Sequence, residues 1–333
     1  MSELNVDRAM SRILQEAARA RGVEVTALSE GWVLRLARGG VVRCVHGYAF
    51  DLNSAATHAI ACDKAATSEV LGAAGLARVE HRLFLNPDLS AYVRHPGNWR
   101  GMLEFFEAHG RDVVVKDNTG TGGRDVQRAR SHVALEAAAL ALFERGRSVA
   151  LCPFVPIDAE TRFVVLAGRC EVMYSKVRPA VVGDGVRTVL ELLGDLVARG
   201  GLTRELSRLL ATMDAETAGA LRDRPAPGET RVVNWRHNLG QGASIELHAP
   251  DDEAFAEPRR LALSAAGTMN LTFGSVDVVR VGAAWRVLEV NSGVMMEALA
   301  GTPSGAGVAR RVYERALDLM FDGAPAPTGS AGA

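Results

Sequence analysis

A short apolar strand that ends in a lysine and opens into a loop of small residues constrains this chain more than any other feature. The strand is three consecutive valines followed by Lys116, and the loop contains Gly120, Thr121, Gly122 and Gly123. Glycine adopts positive φ and leaves the backbone uncovered, so successive amide N–H groups can converge on an anion, and the lysine adds a positive charge. The pattern predicts a phosphate-binding loop, and an ordinary glycine-rich hairpin turn is the alternative interpretation.

Length and composition indicate a soluble protein with a sizeable core. The chain has 333 residues, which suggests about two domains, and it is 48% hydrophobic and 23% charged. Acidic and basic residues are interspersed and the formal net charge is -1, so no basic face indicates nucleic acid or a membrane surface. We therefore expect small-molecule substrates, with neither nucleic acid nor a membrane as a partner.

The cysteines and the N-terminal stretch bear on the cellular compartment. Cys44, Cys62, Cys152 and Cys170 are widely spaced and form no CxxC pair, which fits neither a zinc cluster nor a disulfide framework and predicts buried, reduced thiols. Residues 1–22 lack the apolar segment of a signal peptide, and nowhere do 18 apolar residues follow one another. A cytoplasmic location is expected.

Hydrophobic periodicity separates a short N-terminal unit from a longer remainder. A helix and three short strands predict a small α/β domain over residues 1–62. The next helix begins near Asp63 and carries Lys64 in its first turn. Further strands and helices follow, including two hairpins whose turns lie at Ala167-Gly168 and at Gly282.

Three further segments have separate interpretations. The interval at 188–222 is mostly helical and forms either a homodimer surface or a cap over the site. Residues 323–333 are rich in proline, glycine and alanine and predict a disordered tail. Arg178, Arg187 and the segment 292–297 are expected to border an acceptor pocket, with core packing as the preferred interpretation for the two methionines of that segment.

Oxygen-bearing side chains recur on two apolar strands in the last fifth of the chain. Asp277 lies in the first strand, and Glu289 and Asn291 lie two residues apart in the second. Residues i and i+2 project to one face of a strand, and a hairpin places Asp277 opposite that pair. Mg²⁺ accepts one or two carboxylates together with phosphate oxygens and water, so the three residues predict a magnesium site, with Mn²⁺ as the alternative metal. A solvent-facing row of acids is the competing interpretation.

Other candidate phosphate ligands are Lys64, Lys176, Arg236 and Asn238, and each of them is a weak signal alone. A Walker A loop needs GxxxxGK[ST] and a dinucleotide-binding loop needs GxGxxG, whereas here the lysine precedes the glycines. A lysine strand, a glycine loop and a triad of oxygen ligands seldom occur together by chance. Their combination indicates a nucleotide site.

This order of motifs resembles the ATP-grasp superfamily, from Asp63 to about Ala300. The most similar branch contains glutathione synthetase, the ribosomal-protein glutamate ligase, cyanophycin synthetase and D-alanine–D-alanine ligase. Lys64 resembles the lysine that starts a helix in that family, and Lys116 with its glycine loop resembles the phosphate-covering lid. The segment that begins at Arg236 resembles the family's R-x-N motif. The residues that match its metal ligands are Asp277, Glu289 and Asn291.

The resemblance implies a mixed α/β (α+β) ATP-grasp fold behind the small N-terminal domain. The ATP-grasp domain would span residues 63–322, with a mobile lid subdomain over about 82–154 and a C-terminal antiparallel-sheet subdomain over about 155–322. ATP would lie between two antiparallel sheets, with its ribose hydroxyls against Glu160. Arg162 would either serve phosphate or pair with an acid.

The adenine of ATP would lie against a hinge strand. The residues implied for it are Leu151, Cys152 and Phe154. Between them Pro153 departs from the family's pattern and lacks an N–H, so adenine would bond to neighbouring carbonyls and to the Phe154 or Val155 amide.

The resemblance also implies a reaction. The γ-phosphoryl group of ATP passes to a carboxylate, and an amine attacks the acyl phosphate to form an amide or peptide bond on an amino acid or peptide, releasing ADP and phosphate. Lys64, Lys116 and Lys176 would offset phosphate charge, and Arg236 with Asn238 would face the transferring group. The alternatives are an ATP-grasp-fold kinase, an acid–thiol ligase, and a catalytically silent nucleotide-binding regulator.

Overall fold

Helices and antiparallel strands alternate along the chain in a computed structural model that describes residues 8–94, 98–200 and 215–323. The strands are β1 Glu24–Leu28, β2 Val33–Arg38, β3 Val41–His46, β4 Ala49–Phe50, β5 Arg82–Phe84, β6 Val113–Asp117, β7 Gln127–Ala129, β8 Val149–Pro153, β9 Ala159–Leu166, β10 Arg169–Val177, β11 Ala180–Val182, β12 Thr230–Val232, β13 Ser244–His248, β14 Phe273–Val281 and β15 Ala284–Asn291. The helices are α1 Ala9–Ala20, α2 Ala55–Ala61, α3 Lys64–Ala73, α4 Pro87–Tyr92, α5 Trp99–Ala108, α6 His132–Phe143, α7 Val189–Gly200, α8 Ala215–Ala220, α9 Ala256–Thr268, α10 Glu297–Ala300 and α11 Ala306–Asp322.

The first sheet is an antiparallel meander in the order β1-β2-β3-β4. Its alternating residues point inward and share one core with α1 and with α11. The inward residues include Leu34, Leu36 and Val45, and Tyr313 of α11 lies in the same core. The N-terminal sheet is therefore covered by a helix from the other end of the described chain.

A five-stranded antiparallel sheet in the order β13-β10-β9-β14-β15 forms the centre of the molecule. Successive residues of β9 face opposite sides, so Val164 packs in the core that contains α1 and α11, while Phe163 and Val165 pack against α9 on the other side. Both faces are apolar at these positions. Polar side chains on this sheet are consequently costly unless they find partners.

The second antiparallel sheet has the order β5-β8-β6-β7 and carries the lysine strand. Val113 and Val115 of β6 pack against α5 and α6, whereas Val114 faces the opposite way. There Val114 and Cys152 meet Val79 and Val279, and Val279 belongs to the five-stranded sheet. The two antiparallel sheets therefore face each other across a shared apolar cluster, as the resemblance implied.

A two-stranded ribbon of β11 and β12 packs with α7 beside the larger sheets. Helices α7 and α8 lie in the interval 188–222, which the sequence predicted to be mostly helical, and residues 201–214 of that interval lie outside the described residues. Residues 324–333 also lie outside, so the disordered tail stays a prediction. In the part of the chain that the structure describes, no helix combines the length and apolar character needed to cross a bilayer.

The prediction that all four cysteines are buried is wrong for Cys44 and Cys62, which are exposed. Cys44 precedes the buried Val45 in β3, so the alternation of the strand turns the thiol to the outer face. Cys62 caps the C-terminal end of α2, a helix that the sequence analysis did not predict. Cys152 is buried and Cys170 is partly buried, and all four are free thiols.

Candidate active site

Lys64 lies between the glycine loop and strand β15 of the five-stranded sheet. Asp63 caps α3, because its Oδ1 accepts a hydrogen bond of 2.7 Å from the Ala66 amide, and this places Lys64 in the first turn. The Lys64 ammonium donates to the Gly120 carbonyl at 2.5 Å and lies 4.0 Å from Glu289 Oε1. Burial lowers the pKa of Lys64, and the neighbouring Lys116 acts in the same direction.

Lys116 stands at the end of β6 with its ammonium 2.9 Å from His81 Nε2. His81 is 4% exposed, and the sequence analysis gave it no role. A single histidine inside a predicted strand, which the sequence places around Val79–Phe84, carries no pattern, so no sequence signal identifies this contact.

The glycine loop leans against the segment that begins at Arg236. Gly122 and Gly123 adopt φ of +70° and +68°, the left-handed conformation for which glycine is suited. The Gln241 side-chain amide donates to the Gly123 carbonyl at 3.3 Å, and the Arg236 guanidinium donates to the Val126 carbonyl at 2.8 Å. Asn238 lies so near Gly123 that a Cβ on this glycine would overlap its Nδ2 atom. Of the other predicted loop residues, Thr121 is exposed and Gly120 contacts Lys64.

Four charged side chains meet on the five-stranded sheet. Both oxygens of Asp277 accept from the Arg162 guanidinium at 2.7 Å, so Arg162 pairs with an acid here, and its phosphate role stays a prediction. The Lys176 ammonium donates to Asp277 Oδ2 at 2.8 Å and to Glu160 Oε1 at 2.5 Å. Burial alone would raise the pKa of Asp277, but Arg162 and Lys176 outweigh it and hold that pKa below its usual range.

Glu160 was predicted to hold ribose hydroxyls, and it stands beside the phosphate-binding candidates. Burial raises the pKa of its carboxyl group, and the ammonium of Lys176 opposes that rise. One Glu160 oxygen is engaged by Lys176, and the other lies 3.8 Å from His237 Nδ1. The ribose role of Glu160 stays a prediction.

The three predicted metal ligands lie on adjacent strands. Asp277 and Glu289 are directly opposite in the β14–β15 register, and Asn291 follows on the same strand as Glu289. The described residues hold no cluster of three His, Cys, Asp or Glu side chains suited to a metal. The set predicted here contains only two such residues, because its third member is an asparagine. These oxygen donors are of the kind that Mg²⁺ prefers, so the residues present fit this ion. Asp277 Oδ1 accepts the bond from Arg162 and keeps a second lone pair, and the Glu289 side chain is 33% exposed.

No protein-family model matches the chain. The cyanophycin synthetase of Nostoc sp. is 25% identical over 328 residues, which cover 93% of this chain but only 34% of that protein. The glutathione biosynthesis bifunctional protein GshAB of Streptococcus thermophilus is 28% identical over 182 residues, or 51% of this chain and 24% of that protein. The chain thus spans about a third or less of the length of these curated relatives.

Two solved structures superpose on most of the chain. A bifunctional glutathione synthetase from Pasteurella multocida gives a TM-score of 0.56 at 18% identity, covering 96% of this chain and 45% of that one. D-alanine–D-alanine ligase from Bacillus anthracis gives a TM-score of 0.52 at 14% identity, covering 83% of this chain and 71% of that one. Both are ATP-grasp structures. The chain has the ATP-grasp fold.

Leu151 and Cys152, which the resemblance assigns to a hinge strand, lie in β8, and Phe154 follows directly after that strand. Leu151 and Cys152 are buried, and the Phe154 ring carries the Arg128 guanidinium 3.4 Å from its centroid. The Phe154 amide, one of the two donors proposed for adenine, already donates to the Asp112 carbonyl at 2.9 Å. The Phe154 amide is therefore not available to donate to adenine. Of the predicted hydrogen-bonding groups, the neighbouring carbonyls and the Val155 amide remain.

The residues that the sequence predicts at the border of an acceptor pocket lie in different environments. Arg187 pairs with Asp184 of its own loop at 2.6 Å. Met296 lies in the core, in line with the preferred interpretation, while Met295 is 51% exposed. Burial lowers the pKa of His237 to about 3, with Arg178 and Lys176 acting in the same direction, so a neutral imidazole stands beside Lys176. His237 is the middle residue of the predicted R-x-N motif, and no sequence signal gave it a role of its own.

Proposed function

We propose that this protein is an ATP-dependent ligase that activates a carboxylate as an acyl phosphate and joins it to an amine, releasing ADP and phosphate. The single observation that carries this proposal is Lys64, whose ammonium contacts the glycine loop and lies 4.0 Å from Glu289. The loop, the lysines and the oxygen ligands therefore border one space, between the two antiparallel sheets. The relatives and superposed structures support this proposal, because they are ATP-grasp ligases.

Charge placement would carry most of the chemistry. Lys64 and Lys116 present ammonium groups from two different elements toward the loop, where they would hold the phosphates of ATP. Arg236 and Asn238 stand against the far side of the loop, where they would face the transferring phosphoryl group. Bound Mg²⁺, held by Asp277, Glu289 and Asn291, would neutralise charge on the phosphate oxygens.

Lys176 has a second role in this proposal besides phosphate binding. Its ammonium is already shared between Glu160 and Asp277, so its charge is largely balanced inside the protein. It would therefore keep Asp277 and Glu160 in fixed positions while contributing less net charge to phosphate than Lys64 or Lys116. The contacts of Arg236 and Gln241 with the loop would keep water from the acyl phosphate.

The substrates are proposed as a small-molecule carboxylate and an amine, each an amino acid or a peptide. The curated relatives are named for cyanophycin and glutathione biosynthesis, and a superposed structure is named for joining two D-alanines. A cytoplasmic location is part of the proposal, and the helical interval at 188–222 would form either a homodimer surface or a cap over the site. The domain boundary at residue 62 and the lid subdomain at about 82–154 belong to it as well.

The proposal is tested by measuring ADP release from ATP and Mg²⁺ with pooled amino acids and dipeptides, then with hydroxylamine as a trapping amine. Hydroxamate formation is the expected result, because hydroxylamine intercepts an activated carboxylate. A phosphorylated alcohol would favour the kinase alternative and a thioester the acid–thiol ligase. ATP binding without any turnover would favour a silent regulator.

Two site variants and one control sharpen this experiment. Glu289→Gln and Lys116→Ala should each abolish ADP formation with the fold intact, because the first removes a carboxylate that would hold Mg²⁺ and the second removes a positive charge that would hold the phosphates. Glu104→Gln, an exposed acid on α5 paired only with Arg100 in a surface i,i+4 contact, is the matched control and should keep full turnover. Unchanged turnover in either site variant would refute the assigned site.

A further inference from the structure

A buried histidine lies against the lysine that ends the lysine strand. His81 follows the backbone segment that bridges β15, and its own amide donates to Ser68 Oγ at 2.9 Å. Its ring nitrogens face two partners of different kinds. Nδ1 lies 3.0 Å from the Val79 carbonyl, and Nε2 lies 2.9 Å from the Lys116 ammonium.

These two partners determine the state of the imidazole. A carbonyl oxygen can only accept, so Nδ1 must carry the proton. An ammonium group can only donate, so Nε2 must offer its lone pair. Burial lowers the pKa of His81 well below the usual value, and Lys116 and Lys64 act in the same direction. The neutral Nδ1–H tautomer is thus the form that satisfies both neighbours.

The three lysines of the site differ in how their charge is held. Lys176 lies between two carboxylates, Glu160 and Asp277, and Lys64 lies near Glu289. Among the ion pairs of the described residues, none joins Lys116 to an acid. The Lys116 ammonium instead contacts the buried, neutral ring of His81. A neutral acceptor fixes the direction of an ammonium without cancelling its charge. Lys116 therefore keeps a full positive charge for an anion on the side facing the glycine loop.

We infer that His81 is a positioning residue, which holds the Lys116 ammonium toward the phosphates of the nucleotide by accepting its hydrogen bond through Nε2. This inference rests on the proposed nucleotide site and adds to it a group from outside the recognised motifs. The side chain of His81 touches neither nucleotide nor substrate in this role. It acts only through Lys116.

The inference is tested by a double-mutant cycle with ADP as the probe. The proteins are the wild type, His81→Phe, Lys116→Met and the double variant, and the dissociation constant of ADP is measured by calorimetry for each. Phenylalanine keeps the ring volume but offers no acceptor, so His81→Phe should weaken ADP binding about tenfold, the usual effect of removing one charge-assisted hydrogen bond. Against the Lys116→Met background the same change should have no further effect.

Two further variants separate positioning from packing. His81→Gln places an amide oxygen near the position of Nε2 and should recover most of the affinity that His81→Phe loses. His109→Phe, a partly buried histidine at the end of α5 whose Nδ1 bonds to the Phe105 carbonyl at 2.8 Å, is the matched control and should leave ADP binding unchanged. Thermal midpoints of all variants show whether a loss of binding follows a loss of fold.

The outcomes distinguish this inference from the proposed function. If the wild type binds no ADP, the nucleotide site itself is wrong and both proposals fail. If the wild type binds ADP but His81→Phe is neutral, or is equally damaging with and without Lys116, only the positioning role fails. Failure of His81→Gln to recover binding, while its thermal midpoint is that of the wild type, would also overturn it.

Discussion

The buried charges on the five-stranded sheet are the most demanding feature at the scale of single residues. Asp277 sits at the centre, held by two bonds from Arg162 and one from Lys176. Replacing both members of a buried ion pair by apolar residues can leave the stability of the fold nearly unchanged, whereas removing one member leaves the other as an uncompensated buried charge. The network is therefore sensitive to single substitutions.

Arg162→Met should destabilise the fold by about 3 kcal/mol, because it leaves Asp277 buried with only Lys176 to balance it. The measurement is the free energy of unfolding in urea. Arg100→Met is the control, since Arg100 pairs with Glu104 on the surface with side-chain exposures of 91% and 60%, and no measurable change is expected there. Equal unfolding free energies for the two variants would contradict the account of the network.

Sequence reasoning reached some of these residues and missed others for identifiable reasons. The hairpin pattern was enough to place Asp277 opposite Glu289, because strand alternation and a turn at Gly282 fix which residues meet. The same pattern left Arg162 with either phosphate or an acid as its partner, because the face of a strand on which a residue lies does not identify the group opposite it. His81 was missed because its role depends on a contact 35 residues away along the chain.

The glycine loop is the element on which the proposed nucleotide site depends. Gly122 and Gly123 have nearly the same positive φ, but a Cβ on Gly122 would meet nothing within 4 Å, whereas one on Gly123 would overlap Asn238. Alanine therefore imposes a similar backbone cost at both positions, and only at Gly123 does it also separate the loop from the facing segment.

Gly123→Ala should raise the KM for ATP clearly more than Gly122→Ala does, by about tenfold if one loop contact of ordinary strength is lost. Steady-state kinetics of ADP release at varied ATP measure the difference. Both variants should have similar thermal midpoints, because the left-handed strain is common to them. Equal KM values would show that the approach of Gly123 to Asn238 has no part in nucleotide binding.

The longer elements were predictable and the shortest were not. The β9–β10 hairpin, the β14–β15 hairpin and α6 follow from clear periodicity and turn residues, and the structure has them at the expected places. Helices α2 and α4 span only 7 and 6 residues, too few for a helical period to stand out. The sequence predicts a strand around Val79–Phe84, but β5 begins at Arg82, because residues 77–79 contact the edge strand β15 instead.

At the scale of the whole molecule, the space between the sheets contains two buried neutral histidines. His81 lies at the Lys116 side and His237 at the Lys176 side, with exposures of 4% and 6%. In the unfolded chain each has a pKa of about 6.5, and burial lowers both values in the folded protein. A base with a lowered folded pKa stabilises the fold above its unfolded pKa, and that contribution is lost as the pH falls.

Stability should therefore fall between pH 6.5 and pH 5 by about 1 kcal/mol per pH unit for each histidine. His237, with a folded pKa of about 3, remains neutral through this window. His237→Gln should make the pH dependence of the unfolding free energy about half as steep. An unchanged slope for His237→Gln would contradict the assigned burial of a neutral ring.

The shared core of α1, the first sheet and α11 has a consequence for biosynthesis. Roughly 250 residues separate β4 from α11, so at a synthesis rate of about 5–20 residues per second the ribosome needs roughly 15–50 s to deliver the covering helix. During that delay the apolar side of the nascent meander lacks its permanent neighbour. The core of this meander therefore cannot be completed before α11 has been synthesised.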